Sequence, residues 1–413
     1  MDYYPYAVEP GGVPEHYTDP FWKHYWCTAS PLGPEIVAGV TGDGRNKQMA
    51  NAALRHTKPN DYYAIYTASL FRNIAARPQP DNFIVYDRNI EGPRGRFGHF
   101  SWAGTTRNYG EGCQGKDTFV GCTLTSAEDV AYPLDAALQV ATNQYRLQPD
   151  GQRWRTCRFL SQAEQNAVTI GADFAALTTR YRIQNVAWGG KSSLTEWAGQ
   201  QEWLLTPNRI VGLLAIETLT EQKAYSIHGR LRLGMKKEFE KKSDSLLKYG
   251  GLMIRLHEHN YSDVITERSE TFYIDKPEQF RSSEIVLRDA ASVKANEKEL
   301  LTYPKGTRQF FIAEVFPSTA EPARAVRRIA TDGAQRATGI EVEADGWWRQ
   351  LVHNPTDKPI TYRFMAAPTA AGSVQMHRSG SRKPEPVPVD MRDGTALVSI
   401  PARGHVVFEA GLR

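Results

Sequence analysis

AYSIHGRLRLG, residues 224–234, alternates with a period of two. Tyr225, Ile227, Leu231 and Leu233 fall on one side, and His228, Arg230 and Arg232 on the other. Successive side chains of an extended chain point to opposite faces, so the stretch predicts an antiparallel strand with one apolar and one wet face. The same period continues outward in both directions. NFIVYD (82–87), DTFVGCTL (117–124), RWRTCRFL (153–160), DFAALTTRYRIQNV (173–186) and RIVGLLAIETL (209–219) read as strands, as do GLMIRLHEH (251–259), RQFFIAEVF (308–316), WWRQLVHN (347–354), ITYRFMAA (360–367) and ALVSIPA (396–402). The sheet-forming region from Asn82 to about Tyr303 exceeds an immunoglobulin-sized unit. It predicts one large antiparallel β-sandwich over 81–304, with KKEFEKKSDSLLKYGG (236–251) as a charged hairpin insertion. A smaller β-domain over 305–413 follows, broken by PSTAEPAR (317–324) and the turn NPTDKP (354–359).

Upstream of Pro78 the period is different. Residues 1–20, rich in Tyr, Pro and Gly, read as an extended arm. LGPEIVAGV (32–40) and NKQMANAALRH (46–56), with Met49, Ala52, Ala53 and His56 at helical spacing, predict short helices. Asn60 and Asp61 provide an N-cap for YYAIYTASLFRNIAA (62–76), whose Tyr62, Ile65, Tyr66, Ser69 and Leu70 form a stripe expected to pack against a neighbour. The fold class is therefore mainly β, with a helical segment over 1–80.

Composition narrows the function classes. Hydrophobic residues are 41% and charged residues 23% of 413, the range of an ordinary soluble globular protein. The net charge of +4 is evenly spread and too small for a nucleic-acid binder, and no apolar run approaches the ~20 residues that span a bilayer. Nine Trp and nineteen Tyr suit either a β-core or a groove in which flat rings stack on sugars. Cys27, Cys113, Cys122 and Cys157 show no zinc spacing. Cys113 and Cys122 read equally well as a loop disulfide or as two reduced thiols. The N-terminus lacks the basic and apolar regions of a secretory leader, which leaves a cytoplasmic protein or a chain without its natural beginning.

Reactive side chains are densest in DRNIEGPRGRFGHFSWAGTTRNYGEGCQGKD, residues 87–117. Arg94, Arg96, His99, Trp102, Arg107, Asn108, Tyr109 and Glu111 stand there among seven glycines, which let a backbone turn sharply and approach a ligand. The chemistry suited to this set is β-elimination from a uronic acid in a polysaccharide. Arg and Asn donors neutralise the carboxylate beside the C5 proton and so stabilise the anion that develops. His or Tyr takes that proton and returns one to the departing glycosidic oxygen. A tyrosine serves as base only where cations such as Arg107 lower its pKa. No metal or other cofactor is required by this logic. His257 and His259, two apart and on one face with Arg255, are a weaker candidate pair for a metal, because the arginine would repel a cation.

A helical segment, a very large antiparallel sandwich and a small β-domain in that order resemble the C-terminal two thirds of certain polysaccharide lyases. These join an α/α toroid to a β-super-sandwich, in the class of heparinase-, chondroitin/hyaluronate- and alginate-lyase-like enzymes. The resemblance implies catalytic Asn, His, Tyr and Arg shared between toroid and sandwich. It points to His99, Tyr109, Arg107 and Asn108 as catalytic, and to Trp102, Arg96, Tyr62, Tyr63 and His56 as substrate-binding. It further implies an anionic polysaccharide or oligosaccharide as partner, an upstream helical domain, and a periplasmic or extracellular location. Two other readings compete: a glycoside hydrolase of toroid/sandwich type, which needs facing carboxylates for which Glu91 and Glu111 are the loop candidates, and a non-catalytic carbohydrate-binding β-protein.

Overall fold

The computed structural model describes residues 31–413 except 55–60, 79, 89, 107–119, 125–133, 142–145, 148–152, 155–158, 186–192, 235–237, 271–280, 297–298, 332–335, 345, 367–369, 382, 389–393 and 413. Three helices open it: α1 (Leu32–Thr41), α2 (Gly44–Ala53) and α3 (Tyr62–Ala68). Gly42 ends α1 in the left-handed conformation, its N–H donating to the Ala38 carbonyl. Asp43 then caps α2 through the Arg45 N–H, and Asp61 caps α3 through the Ala64 N–H. A buried ion pair ties the helices together. Lys47 Nζ donates to Glu35 Oε1 (2.5 Å) and to the Ala68 carbonyl (2.8 Å), and Glu35 Oε1 also accepts the Phe71 N–H (2.8 Å).

Two expectations for α3 change. The helix stops after Ala68 rather than running to residue 76, because Ser69 leaves the helix and turns its hydroxyl onto the Tyr66 carbonyl. The tyrosine stripe faces outward. The side packed on the other helices carries Ala64, Thr67 and Ala68, while Tyr62, Tyr63 and Tyr66 are 79%, 69% and 66% exposed.

The sandwich that follows has two eight-stranded antiparallel sheets. The first runs in the order Asn82–Asp87, Gly92–Phe97, Phe100–Gly104, Val120–Leu124, Leu134–Ala141, Ser226–Gly234, Arg281–Arg288, Asp263–Glu270. The second runs Glu240–Lys241, Leu246–Tyr249, Leu252–His259, Arg308–Pro317, Arg209–Thr218, Ser193–Thr206, Ala175–Asn185, Phe159–Ile170. Their facing sides form one core. Ile227, Leu231 and Leu233 enter it as the alternation predicts, and Gly229 stands where a Cβ would lie 2.6 Å from the Phe311 ring. The opposite face of that strand is not wet, since His228 and Arg230 are also buried. Cys122 is buried in the same core, and Cys113 lies outside the described residues.

The large sandwich extends beyond residue 304. Strand Arg308–Pro317 pairs with Arg209–Thr218 on one side and Leu252–His259 on the other, in the middle of the second sheet. Its side chains explain the placement: Phe311, Ala313 and Val315 enter the sandwich core, while Phe310 and Ile312 are buried on the outer face. The C-terminal unit accordingly begins at strand Ala325–Ala330. It comprises a six-stranded sheet covered by the pair Ile360–Met365 and Thr395–Ile400, around Trp348, Phe364 and Phe408. Its other face docks on the second sheet through a shared apolar cluster that joins Leu204, Leu213 and Ile312 to Ile340, Leu351 and Val407.

Candidate functional site

His99 occupies the turn of a tight hairpin between strands Gly92–Phe97 and Phe100–Gly104, where Phe97 and Phe100 are the last partners. Gly98, at φ +59°, makes that turn possible without strain. The Gly98 N–H donates to the Asp81 carbonyl (2.8 Å), so the turn is fastened to the segment that leads from the helices into the sandwich. The His99 side chain is exposed. Behind it on the same strand, Arg96 is fully buried, its guanidinium 5.4 Å from the centre of the Phe83 ring and donating to the Pro80 carbonyl (3.5 Å). Arg94 is buried in a 2.5 Å pair with Asp87.

Trp102 does not line a groove. It is fully buried in the sandwich core, donates from Nε1 to the Thr206 carbonyl (2.8 Å), and fills the space above Gly95, where a Cβ would lie 2.3 Å from its ring. The alternation Phe100, Trp102 inward and Ser101, Ala103 outward was present in the sequence, and the surrounding glycines disguised it as a loop.

Register assembles a charged row that sequence order conceals. Arg94 pairs with Ala103, Ala103 with Gly121, Gly121 with Asp135, Asp135 with Arg232, Arg232 with Glu284 and Glu284 with Glu267. Glu284 is fully buried and accepts from Arg230 and, at 2.8 Å, from Arg232. Arg230 lies 3.8 Å from Glu267. The outer face of the first sheet is thus a polar layer of guanidinium and carboxylate groups. Only the pairing of distant strands shows it, because Arg230 and Arg232 read in isolation as solvated.

The far end of the hairpin is a separate place. Thr105 Oγ1 donates to the Ile90 carbonyl (2.7 Å) and Thr106 Oγ1 to the Glu91 carbonyl (2.5 Å). The chain from Phe100 to Thr106 therefore runs away from the His99 turn by about 20 Å at ~3.3 Å per residue. Arg107, Asn108, Tyr109 and Glu111 follow from that end and lie outside the described residues, as does His56. Glu91 has a positive φ of 50° and an exposed side chain.

His257 and His259 do not share a site. A bulge between Leu256 and Glu258 aims His257 Nε2 at Glu314 Oε2 (2.9 Å), and the other Glu314 oxygen accepts from Arg209 (2.5 Å) and the Ala323 N–H (2.8 Å). Burial works to raise the Glu314 carboxyl pKa, but the hydrogen bond with His257, the Arg209 charge and the Ala323 N–H together hold it below its usual range. His259 instead bonds with the Tyr261 carbonyl (3.0 Å). Among the described residues no group of three or more His, Cys, Asp or Glu side chains is arranged for a metal.

No family model matches the chain, and no curated protein matches it. Among solved structures, a chondroitin AC lyase of Streptomyces coelicolor A3 in complex with chondroitin sulphate is similar over 99% of this chain and 64% of its own length, at 10% identity and a TM-score of 0.49. A mutant of that lyase is similar over 90% of this chain and 56% of its own, at 11% identity and a TM-score of 0.44. A heparan sulfate lyase HepC mutant from Pedobacter heparinus is similar over 75% of this chain and 48% of its own, at 11% identity and a TM-score of 0.42. The chain thus spans less than two thirds of the length of each.

Proposed function

We propose that this chain supplies the sandwich side of a polysaccharide lyase that cleaves a uronic-acid-containing polymer by β-elimination. The observation that carries the reading is the position of His99. It is an exposed imidazole on a turn hydrogen-bonded to the segment leaving the helices, beside a strand that carries Arg94 and Arg96. Such a group can reach a polymer lying along the junction, and an imidazole is a common general acid and base. In this reading His99 takes the C5 proton, Arg107 and Asn108 neutralise the substrate carboxylate, and Tyr109 serves the departing glycosidic oxygen. The exposed Tyr62 and Tyr63 offer ring faces to the sugars from the helical side.

The test is elimination on alginate, hyaluronan, chondroitin, heparan and glucuronan, read as absorbance of the new double bond, with the chain alone and with an upstream helical domain supplied. Absorbance growth on at least one acidic polymer, lost in His99→Ala, is the expected result. Silence across the panel in both formats removes the lyase reading. Binding without turnover would then favour the carbohydrate-binding alternative.

A further inference from the structure

Along the seam between the second sheet and the C-terminal unit, one arginine is left over from a set of matched charges. Register brings Arg182, Ala198, Glu217 and Arg308 into one row across strands Ala175–Asn185, Ser193–Thr206, Arg209–Thr218 and Arg308–Pro317. Glu217 lies directly opposite Arg308, but both its oxygens are taken by Arg336, which reaches over from the C-terminal unit with NH2 at 2.8 Å and NH1 at 3.4 Å. The next carboxylate, Glu202, is buried, and one of its oxygens already accepts from Gln200, Thr338 and His353. Glu258 is held by Arg328 at 3.0 Å. Arg180, in the adjoining row, donates to the Pro355 carbonyl (3.2 Å).

Among the described residues, the half-buried Arg308 is therefore left with no carboxylate in ion-pair contact, and its Nε is buried without a hydrogen-bond partner. A guanidinium cannot relieve this by losing its proton under ordinary conditions, so among the described residues Arg308 keeps its charge without a carboxylate in contact and is open to an added anion. Burial, and after it the nearby positive charge of Arg336, lowers the Arg308 pKa from its ordinary value, with Arg328 acting in the same sense and Glu202 and Glu217 opposing. Although its own burial works the other way, Glu217 is held below the usual carboxylate range by Arg336 hydrogen bonds and by the charges of Arg336, Arg308 and Arg180. Two arginines thus stand at a single carboxylate, Arg336 by hydrogen bonds and Arg308 by register. Planar guanidinium forks match the oxygen geometry of carboxylate and sulfate groups.

We infer that Arg308, beside Arg336, forms an anion subsite at this seam, which takes a carboxylate or sulfate group of an acidic glycan away from the His99 turn. The inference concerns binding and stands apart from the elimination reaction, since a chain silent in the absorbance assay can still bind there.

Calorimetric titration and thermal melting of the full chain, in low-salt buffer free of sulfate and phosphate, test it. The probes are sodium sulfate, a chondroitin sulfate hexasaccharide, a hyaluronan hexasaccharide and neutral maltohexaose. The acidic hexasaccharides should bind and raise the melting temperature while maltohexaose does neither, and Arg308→Gln should weaken the acidic probes about tenfold or more. Arg308→Lys should recover part of that loss. Arg327→Gln removes an equal charge from a residue that is 58% exposed and paired with Glu341, and should leave binding unchanged. Without any anion, Arg308→Gln should melt no lower than the parent, because it removes a poorly compensated charge. Equal binding by Arg308→Gln and the parent overturns the site. Binding of inorganic sulfate with no tighter binding of either acidic hexasaccharide overturns the glycan assignment, and absence of any anion binding overturns both.

Discussion

The His99 turn needs a glycine at position 98 but makes no demand on the imidazole, which is exposed. His99→Ala should therefore shift unfolding free energy by less than about 0.5 kcal/mol, as surface substitutions away from special features do. Turnover on the responsive polymer should fall by about 10²-fold or more, the usual contribution of a positioned acid or base. A matching loss of melting temperature would make the residue structural instead. Arg107→Ala should lower kcat more than it raises KM, because carboxylate neutralisation matters most as the proton leaves, and steady-state kinetics separates the two. Residue types were legible in the sequence at this scale, but burial was not. Nothing within GPRGRFGHFSWAG says that Arg94 and Arg96 are buried against Asp87 and Phe83, or that Trp102 is core while His99 is open. Those facts depend on strands Asn82–Asp87 and Ser193–Thr206, which supply the partners.

At the scale of elements, period-two alternation located most strands, because one face of each packs on a common core. It was less able to say which sheet a strand joins. RQFFIAEVF lacks alternation because it is buried on both faces, and its partners Arg209–Thr218 and Leu252–His259 lie far upstream. The helix Tyr62–Ala68 was legible in its start but not its orientation, since three tyrosines suggest a packed face more strongly than Ala64 and Ala68 do. The hairpin offers a sharp test. A methyl at Gly95 must displace the Trp102 ring and strain its hydrogen bond to the Thr206 carbonyl. Gly95→Ala should cost about 1–3 kcal/mol in urea unfolding, the range for overpacking a close-packed core. A stability equal to the parent's would show that the indole has room to shift. Tyr62→Ala with Tyr63→Ala should leave stability within about 0.5 kcal/mol, given their exposure, and should weaken oligosaccharide binding in the same titrations if the rings stack on sugar. Unchanged affinity would take them out of the site.

Across the whole molecule, the C-terminal unit is joined to the sandwich by a common apolar cluster and by polar contacts around it. Arg349 bridges Asp173 and Glu409 between the rings of Phe174 and Trp347, and His405 reaches across to Thr169 and Thr178. The sequence marked a boundary near PSTAEPAR, yet gave no sign of this docking, because each contributing strand reads as an ordinary half-buried one. Removing residues after Pro317 should leave Leu204, Leu213, Phe310 and Ile312 exposed, and the shortened chain should bind a hydrophobic dye or aggregate where the full chain does not. A soluble, dye-silent product would mean that the cluster is dispensable. The same seam makes stability depend on pH. Burial, with the neighbouring His353 acting in the same sense, pushes the His405 imidazole from about 6.5 down to about 3. Between these values the unfolded chain binds a proton at this position and the folded chain does not, so stability falls as pH drops through that window, by up to about 1.4 kcal/mol per unit. Glu409, held down to about 2 by His377 and Arg349 against the opposing cost of its burial, also loses stability on acidification. Its loss begins only near the ordinary carboxylate pKa, so the interval from pH 6.5 to 5 separates His405 from that carboxylate. Urea unfolding should show the full chain losing about 1.5 kcal/mol over that interval, and His405→Gln should remove most of that dependence whatever its stability at pH 7. An equal slope in the variant would mean that His405 is reached by water in the folded chain and titrates as an ordinary histidine.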